Sequence, residues 1–130
     1  MYVSKENPDQ FDYKQARRFL QEKQDVLKAS RFELWKKAQE NCQNIIELII
    51  NKYQPQQIIQ WGSILEPKHF SEASDIDLAV VGLDWMTFMQ MFAEAEDIAI
   101  FPLDLVRWET LHASFQKILL MKGKIIYEKR

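Results

Sequence analysis

Gln57-Ile58-Ile59-Gln60-Trp61-Gly62-Ser63 and, after a gap of eleven residues, Asp75-Ile76-Asp77-Leu78-Ala79-Val80-Val81-Gly82 are the stretches that decide the fold. The first is a short β-branched and aromatic run stopped by glycine. The second alternates polar and apolar residues, becomes wholly apolar, and again ends on glycine. Both patterns predict strands. Alternate strand residues face the same way, so Asp75 and Asp77 are expected to project together. Two adjacent carboxylates repel, and one takes up a proton unless a cation lies between them. A divalent metal resolves the conflict, and all-oxygen donors suit magnesium or manganese better than zinc.

Working outward, Phe101-Pro102-Leu103-Asp104-Leu105-Val106 holds a third acid inside an apolar run that reads as a strand over 98–106. An aspartate in such a run is costly unless paired or metal-bound. If that strand neighbours the Asp75/Asp77 strand, three carboxylates converge. Upstream, Gly62 lets the backbone approach a phosphate closely, and Ser63 adds a hydroxyl and an N–H. A phosphate cradle, a metal pair and a third acid are parts for phosphoryl or nucleotidyl transfer.

The remaining punctuation is sparse. No glycine or proline lies between Pro8 and Pro55, a stretch rich in Gln, Glu, Lys, Leu and Ala. It predicts two helices, roughly 9–28 and 31–53, or one fused helix. Asn7-Pro8-Asp9-Gln10 has the pattern of a helix start, and Ser30-Arg31-Phe32-Glu33 that of a capping box. Leu20, Leu27, Leu34, Ala38, Cys42, Ile45, Ile46, Ile49 and Tyr53 recur at helical spacing, which predicts one buried face. Asp84 is placed to cap a helix running to about Ala95, with Trp85, Phe88, Met89 and Phe92 on one side. A further helix is expected over 109–121, with Leu111, Phe115, Ile118 and Leu119 inward and Gly123 as its end. Lys124-Ile125-Ile126-Tyr127-Glu128 reads as a last strand. This order predicts an α/β (α+β) domain with a mixed sheet of about four strands flanked by helices, behind an N-terminal helical extension. The expected division is 1–44 for the extension and 45–130 for the sheet domain.

Composition limits the alternatives. The chain has 130 residues, 47% apolar and 28% charged, which suits one buried core rather than a disordered chain. Its formal charge of −2 disfavours binding through a broad cationic face, so strong nucleic-acid binding is not expected. The first 56 residues carry a net +2 and the rest −4, so the acidic excess lies in the sheet half. A single cysteine, Cys42, excludes an internal disulfide framework and a multi-thiolate zinc site, and its place on an apolar helix face reads as a buried thiol. His69 and His112 lack metal-ligand spacing. No apolar run approaches the roughly 20 residues of a membrane span, and a signal-peptide core is missing. A cytoplasmic protein is the expectation.

The run Ile59-Gln60-Trp61-Gly62-Ser63 through Ser74-Asp75-Ile76-Asp77-Leu78-Ala79-Val80 resembles the signature of the DNA polymerase beta-like nucleotidyltransferase superfamily. Within it, the chain resembles the minimal nucleotidyltransferases (MNT proteins) over roughly residues 45–128. The resemblance implies that Gly62 and Ser63 hold the triphosphate of ATP. It implies that Asp75 and Asp77 bind one or two magnesium (or manganese) ions. Asp104 would complete the second metal site and help deprotonate the attacking hydroxyl. The small or basic residues usual after Gly-Ser are replaced here by Ile64-Leu65-Glu66-Pro67-Lys68-His69-Phe70, in which Lys68 is the candidate phosphate contact. MNT relatives act as antitoxins toward a HEPN-type helical ribonuclease toxin and transfer AMP from ATP to one of its tyrosines. The resemblance therefore implies a toxin partner and a hetero-oligomer, with the N-terminal helices and exposed aromatics as contacts. A non-catalytic, nucleotide-binding module that neutralises by contact, and adenylylation of a small molecule, are the competing readings.

Overall fold

The computed structural model describes residues 12–130. The helix start expected at Asn7-Pro8-Asp9-Gln10 lies outside these residues. The described residues fall into two compact units that divide between Ser30 and Arg31.

Helix α1 runs Tyr13–Tyr53 without interruption. The capping-box pattern at Ser30 does not start a new helix. A capping residue acts only where the preceding turn ends, and nothing between Pro8 and Pro55 ends it. The helix stops where Gln54 takes a left-handed φ of 48° and its N–H bonds the carbonyls of Ile49 and Ile50. Pro55 follows and cannot continue the ladder. The expected buried face holds from Leu34 onward: Ala38, Cys42, Ile45, Ile46 and Ile49 are buried and Leu34 and Tyr53 pack partly buried against the same core, whereas Leu20 and Leu27 are exposed. Periodicity makes a stripe available for burial, but burial needs something to cover it.

In residues 31–130, strands β1 (Gln57–Trp61), β2 (Ile76–Val81), β3 (Leu103–Arg107) and β4 (Lys124–Glu128) form one mixed sheet in the order β3-β2-β1-β4. The expected α+β fold with a four-stranded mixed sheet is what the chain adopts. β1 pairs antiparallel with β2 and with β4, and β2 pairs parallel with β3. The parallel pair requires a crossover, which α2 (Trp85–Ile98) supplies. Asp84 caps α2 by accepting from Thr87 N at 2.8 Å. Helix α2 runs three residues past Ala95, and β3 begins at Leu103 rather than Ile98. Ala95, at the expected end, is itself buried, so the packed face carries the helix onward.

Helix α3 (Ala113–Lys122) is shorter than expected, because Trp108–Thr110 forms a 3₁₀ turn and His112 caps the helix by accepting from Ser114 N. Ile118, expected inward, is half exposed, as are Trp85 and Met89 on α2; Phe88 is buried as expected and Met91 joins it in the α2 interface.

The sheet has two unlike faces. Ile58, Ile76, Leu78, Val80 and Leu105 point into the main core with the α1 face, Phe88, Met91 and Ala95. Ile59 and Ala79 point the other way, into a small cluster with Leu119, Trp61, Val106 and Phe115. Two buried polar groups are satisfied on the main side. Asn41 donates to Ile98 O and accepts from Ile100 N, both at 2.9 Å, tying α1 to the α2–β3 connection. Gln60 donates to the Cys42 thiol at 3.2 Å. Burial pushes that thiol up to about 11, so Cys42 is an inert core group, as expected. No helix among the described residues is long and apolar enough to cross a membrane.

Candidate active site

The small-cluster face carries the acids. β2 alternates, so Ile76, Leu78 and Val80 fill the main core while Asp77 faces the opposite side with Ala79 and Val81. The parallel register sets Asp104 of β3 directly beside Asp77. Residues paired in this way share a face, and the two carboxyls share a hydrogen bond. Asp75 lies just before the first residue of β2. Asp77 is half buried; Asp75 and Asp104 are exposed. Burial, then the negative charges of Asp104 and Asp75, then the hydrogen bond to Asp104 raise the Asp77 carboxyl to about 7. Asp77 is therefore the centre of the acidic group, with Asp104 in contact and Asp75 felt through its charge.

Gly62 closes the other side of Asp77. Its φ of 83° is in the region that favours glycine. A Cβ there would strike Asp77 Oδ2, so the carboxylate occupies the space a side chain would fill. Both constraints require glycine at this position. Ser63 follows and opens a 3₁₀ turn, Ser63–Leu65, succeeded by a second, Pro67–His69. The loop is anchored to α1 by Trp35 Nε1, which donates to Ile64 O at 2.7 Å. Phe70, fully buried, fixes its far end edge-on against Phe101.

The expected residues do not all come together. Gly62, Asp77 and Asp104 meet, and Ser63 adjoins them in sequence. Lys68 is exposed on the second turn with its ammonium 3.4 Å from Glu66, so the nearest anion it has is its own loop's carboxylate. His69 also faces Glu66, and His112 serves as the cap of α3. Sequence reasoning missed Trp61 as a neighbour of the site. The β1–β2 register places it directly across from Asp77, and Phe115 meets it edge-on at 6.1 Å. Its signal was the alternation of β1 itself, which puts Trp61 and Ile59 on one face.

Whether the acids suit a metal follows from their chemistry. A hydrogen bond between two carboxyls requires a shared proton, which a hard divalent cation can replace, and Gly62 sets no side chain of its own against the Asp77 oxygen. Among the described residues, no three side chains are drawn into a closed ligand set. The donors thus fit a cation that takes part of its shell from water or phosphate, as magnesium does.

Comparison with known proteins supplies the family. The model of "Polymerase beta, Nucleotidyltransferase" matches residues 43–130. No curated protein matches the chain. Among solved structures, a toxin–antitoxin complex with AMP-PNP aligns at 22% identity and a TM-score of 0.54, covering 66% of this chain and 72% of that one. The MntA–HepT toxin–antitoxin aligns at 22% identity and a TM-score of 0.52, covering 70% and 73%. A tri-AMPylated Shewanella oneidensis HEPN toxin in complex with MNT antitoxin aligns at 24% identity and a TM-score of 0.52, covering 71% and 73%. These likenesses are of fold. With residues 43–130 fitting the family's model, well over half of its length, the chain belongs to the Polymerase beta nucleotidyltransferase family.

Proposed function

We propose that this protein is an antitoxin that transfers AMP from ATP to a tyrosine hydroxyl of a cognate HEPN-type ribonuclease toxin, acting in the cytoplasm as part of a hetero-oligomer. The observation that carries the reading is the Asp77–Asp104 pair, side by side on neighbouring strands with Gly62 pressed against Asp77. The structural neighbours support the choice of acceptor, since one is an AMPylated HEPN toxin with its MNT antitoxin and another holds AMP-PNP.

Asp77 and Asp104, with Asp75 beside them, would hold magnesium or manganese. Such an ion, when bound, supplies positive charge to the triphosphate and to the oxygen that attacks it. The chain's own residues do the rest. Gly62 gives the Asp77 carboxylate the space a side chain would take, and the Ser63 hydroxyl and N–H donate to phosphate oxygens. The exposed carboxylate of Asp104 accepts the phenolic proton. The tyrosine oxygen then forms a bond to the α-phosphorus as the bond to the β-phosphate oxygen breaks, and pyrophosphate leaves. Trp61, paired across from Asp77 and held edge-on by Phe115, borders the site. For Lys68 to contact phosphate, it must leave Glu66.

A second reading is neutralisation by contact without transfer. What favours it is the loop after Ser63, two 3₁₀ turns whose lysine is engaged with Glu66. One experiment separates the two. The protein, the toxin and labelled ATP are incubated with magnesium, beside an Asp75→Ala/Asp77→Ala control. Label on the toxin that disappears in the control supports chemistry. No label, with equal neutralisation by both proteins, supports contact.

A further inference from the structure

The family's model begins at residue 43, yet two residues before it hold the loop that carries Ser63. Trp35 and Gln39 stand one helical turn apart on α1, so their side chains lie on one side of the helix. Both reach the same atom: Trp35 Nε1 donates to Ile64 O at 2.7 Å, and Gln39 Nε2 donates to it at 3.4 Å. The loop's own bonds are weaker. Its first 3₁₀ turn closes with bonds of 3.2 and 3.3 Å and its second with bonds of 3.1 and 3.2 Å, long for N–H···O contacts. The Trp35 bond is shorter than all four. Ile64 is fully buried, and Trp35 packs partly buried against the same core with the Phe32 ring 5.7 Å away. The indole is thus fixed by packing and aims its N–H at one carbonyl. Gly62 O and Ser63 O close the first turn while α1 takes Ile64 O, so these three residues are placed as one piece.

We infer that Trp35, with Gln39 as a second donor, is a positioning residue for the triphosphate: by fixing Ile64 O it fixes where the Ser63 hydroxyl and N–H stand beside Asp77. The inference rests on the reading of Ser63 as a phosphate donor. The first turn, Ser63-Ile64-Leu65, carries no cation, and Lys68 on the second is engaged with Glu66. Order in the loop takes the place of charge. A loop already held in its binding shape loses less conformational freedom when the nucleotide arrives, which strengthens binding.

The test uses the full chain with magnesium, at a temperature where circular dichroism shows every variant folded. ATP affinity is read by calorimetry and AMP transfer to the toxin in parallel. Trp35→Phe/Gln39→Leu keeps a ring in the core and removes both donors. It is expected to weaken ATP binding about fivefold, the worth of one hydrogen bond, and to raise KM for ATP by a like factor with kcat little changed. Trp35→Phe alone, with Gln39 in place, is expected to lose less. Ser63→Ala provides a readout that mere packing does not move: in that background the double substitution is expected to cost under about twofold, because the group it positions is gone. Unchanged ATP affinity and KM in the double variant overturn the inference and leave the transferase reading intact. So does a loss of equal size with and without Ser63, which makes Trp35 a packing residue only. A wild-type chain that binds no ATP overturns both. A wild-type chain that binds ATP but transfers no AMP overturns the antitoxin reading, and the binding measurements still decide the role of Trp35.

Discussion

The two faces of one sheet are built differently in this protein. Strand β2 passes through both: Ile76, Leu78 and Val80 are fully buried in the main core, while Asp77, one residue along, sits half exposed beside Asp104. The face covered by α1 and α2 is sealed and almost wholly apolar. The α3 face has only a small cluster, which leaves room for three acids and a glycine. The comparison teaches that a strand's period of two lets one short segment serve stability and chemistry without compromise, provided one face is left partly uncovered.

Substitutions on the two faces therefore have opposite signatures. The largest effect is expected from Asp77→Ala, which removes the central acid and should lower AMP transfer by on the order of 10³-fold, about 4 kcal/mol of transition-state stabilisation. Thermal unfolding should show the fold retained. A variant that transferred AMP at the wild-type rate would break the division between the faces. Its mirror is the neighbouring Leu78→Ala, which should destabilise the protein by about 2–5 kcal/mol in urea unfolding, with the surviving folded protein still active.

Gly62→Ala tests the seam between the site and the strand that positions it. The left-handed backbone and the collision with Asp77 should together cost about 1–3 kcal/mol and reduce transfer more than stability. Equal activity in Gly62→Ala would show that Asp77 has another resting place.

The pH dependence sharpens the comparison further. Asp77 titrates at about 7 in the fold, against an ordinary value of 3.8. The folded state therefore holds a proton that the unfolded chain has released between these values. Stability of the metal-free protein should fall as pH rises through that window and level off above about 7. Asp77→Asn should flatten the fall, and so should magnesium. A pH-independent melting temperature in metal-free protein would refute the crowding of the three acids.

The smallest effect is expected away from both faces. Gln54→Gly relieves a non-glycine residue at the left-handed end of α1 and should stabilise by about 1 kcal/mol or less, with no change in activity.

Much of the fold is legible from the residues alone, and for stated reasons. The scarcity of glycine and proline marks the elements. The alternation of Asp75-Ile76-Asp77-Leu78 by itself puts Asp77 opposite the core face. Boundaries are less legible: α2 runs on to Ile98 and β3 starts later, because a buried Ala95 and the Asn41 bonds to Ile98 and Ile100 shape that connection. The stripe of α1 is legible as a stripe, but its burial is not, since Leu20 and Leu27 obey the same period as Ile45 and Ile49.

What the sequence by itself determined is local: which segments are strand or helix, which residues alternate, and that Gly62 and the acids belong to the sheet half. Only tertiary structure decided that Asp104 stands beside Asp77, because a parallel register across a helical crossover is set by how α2 packs and leaves no trace in either strand. The same holds for the pairing of Trp61 with Asp77, whose face alone the alternation of β1 gives, and for the half of α1 left bare: contact between distant residues depends on packing.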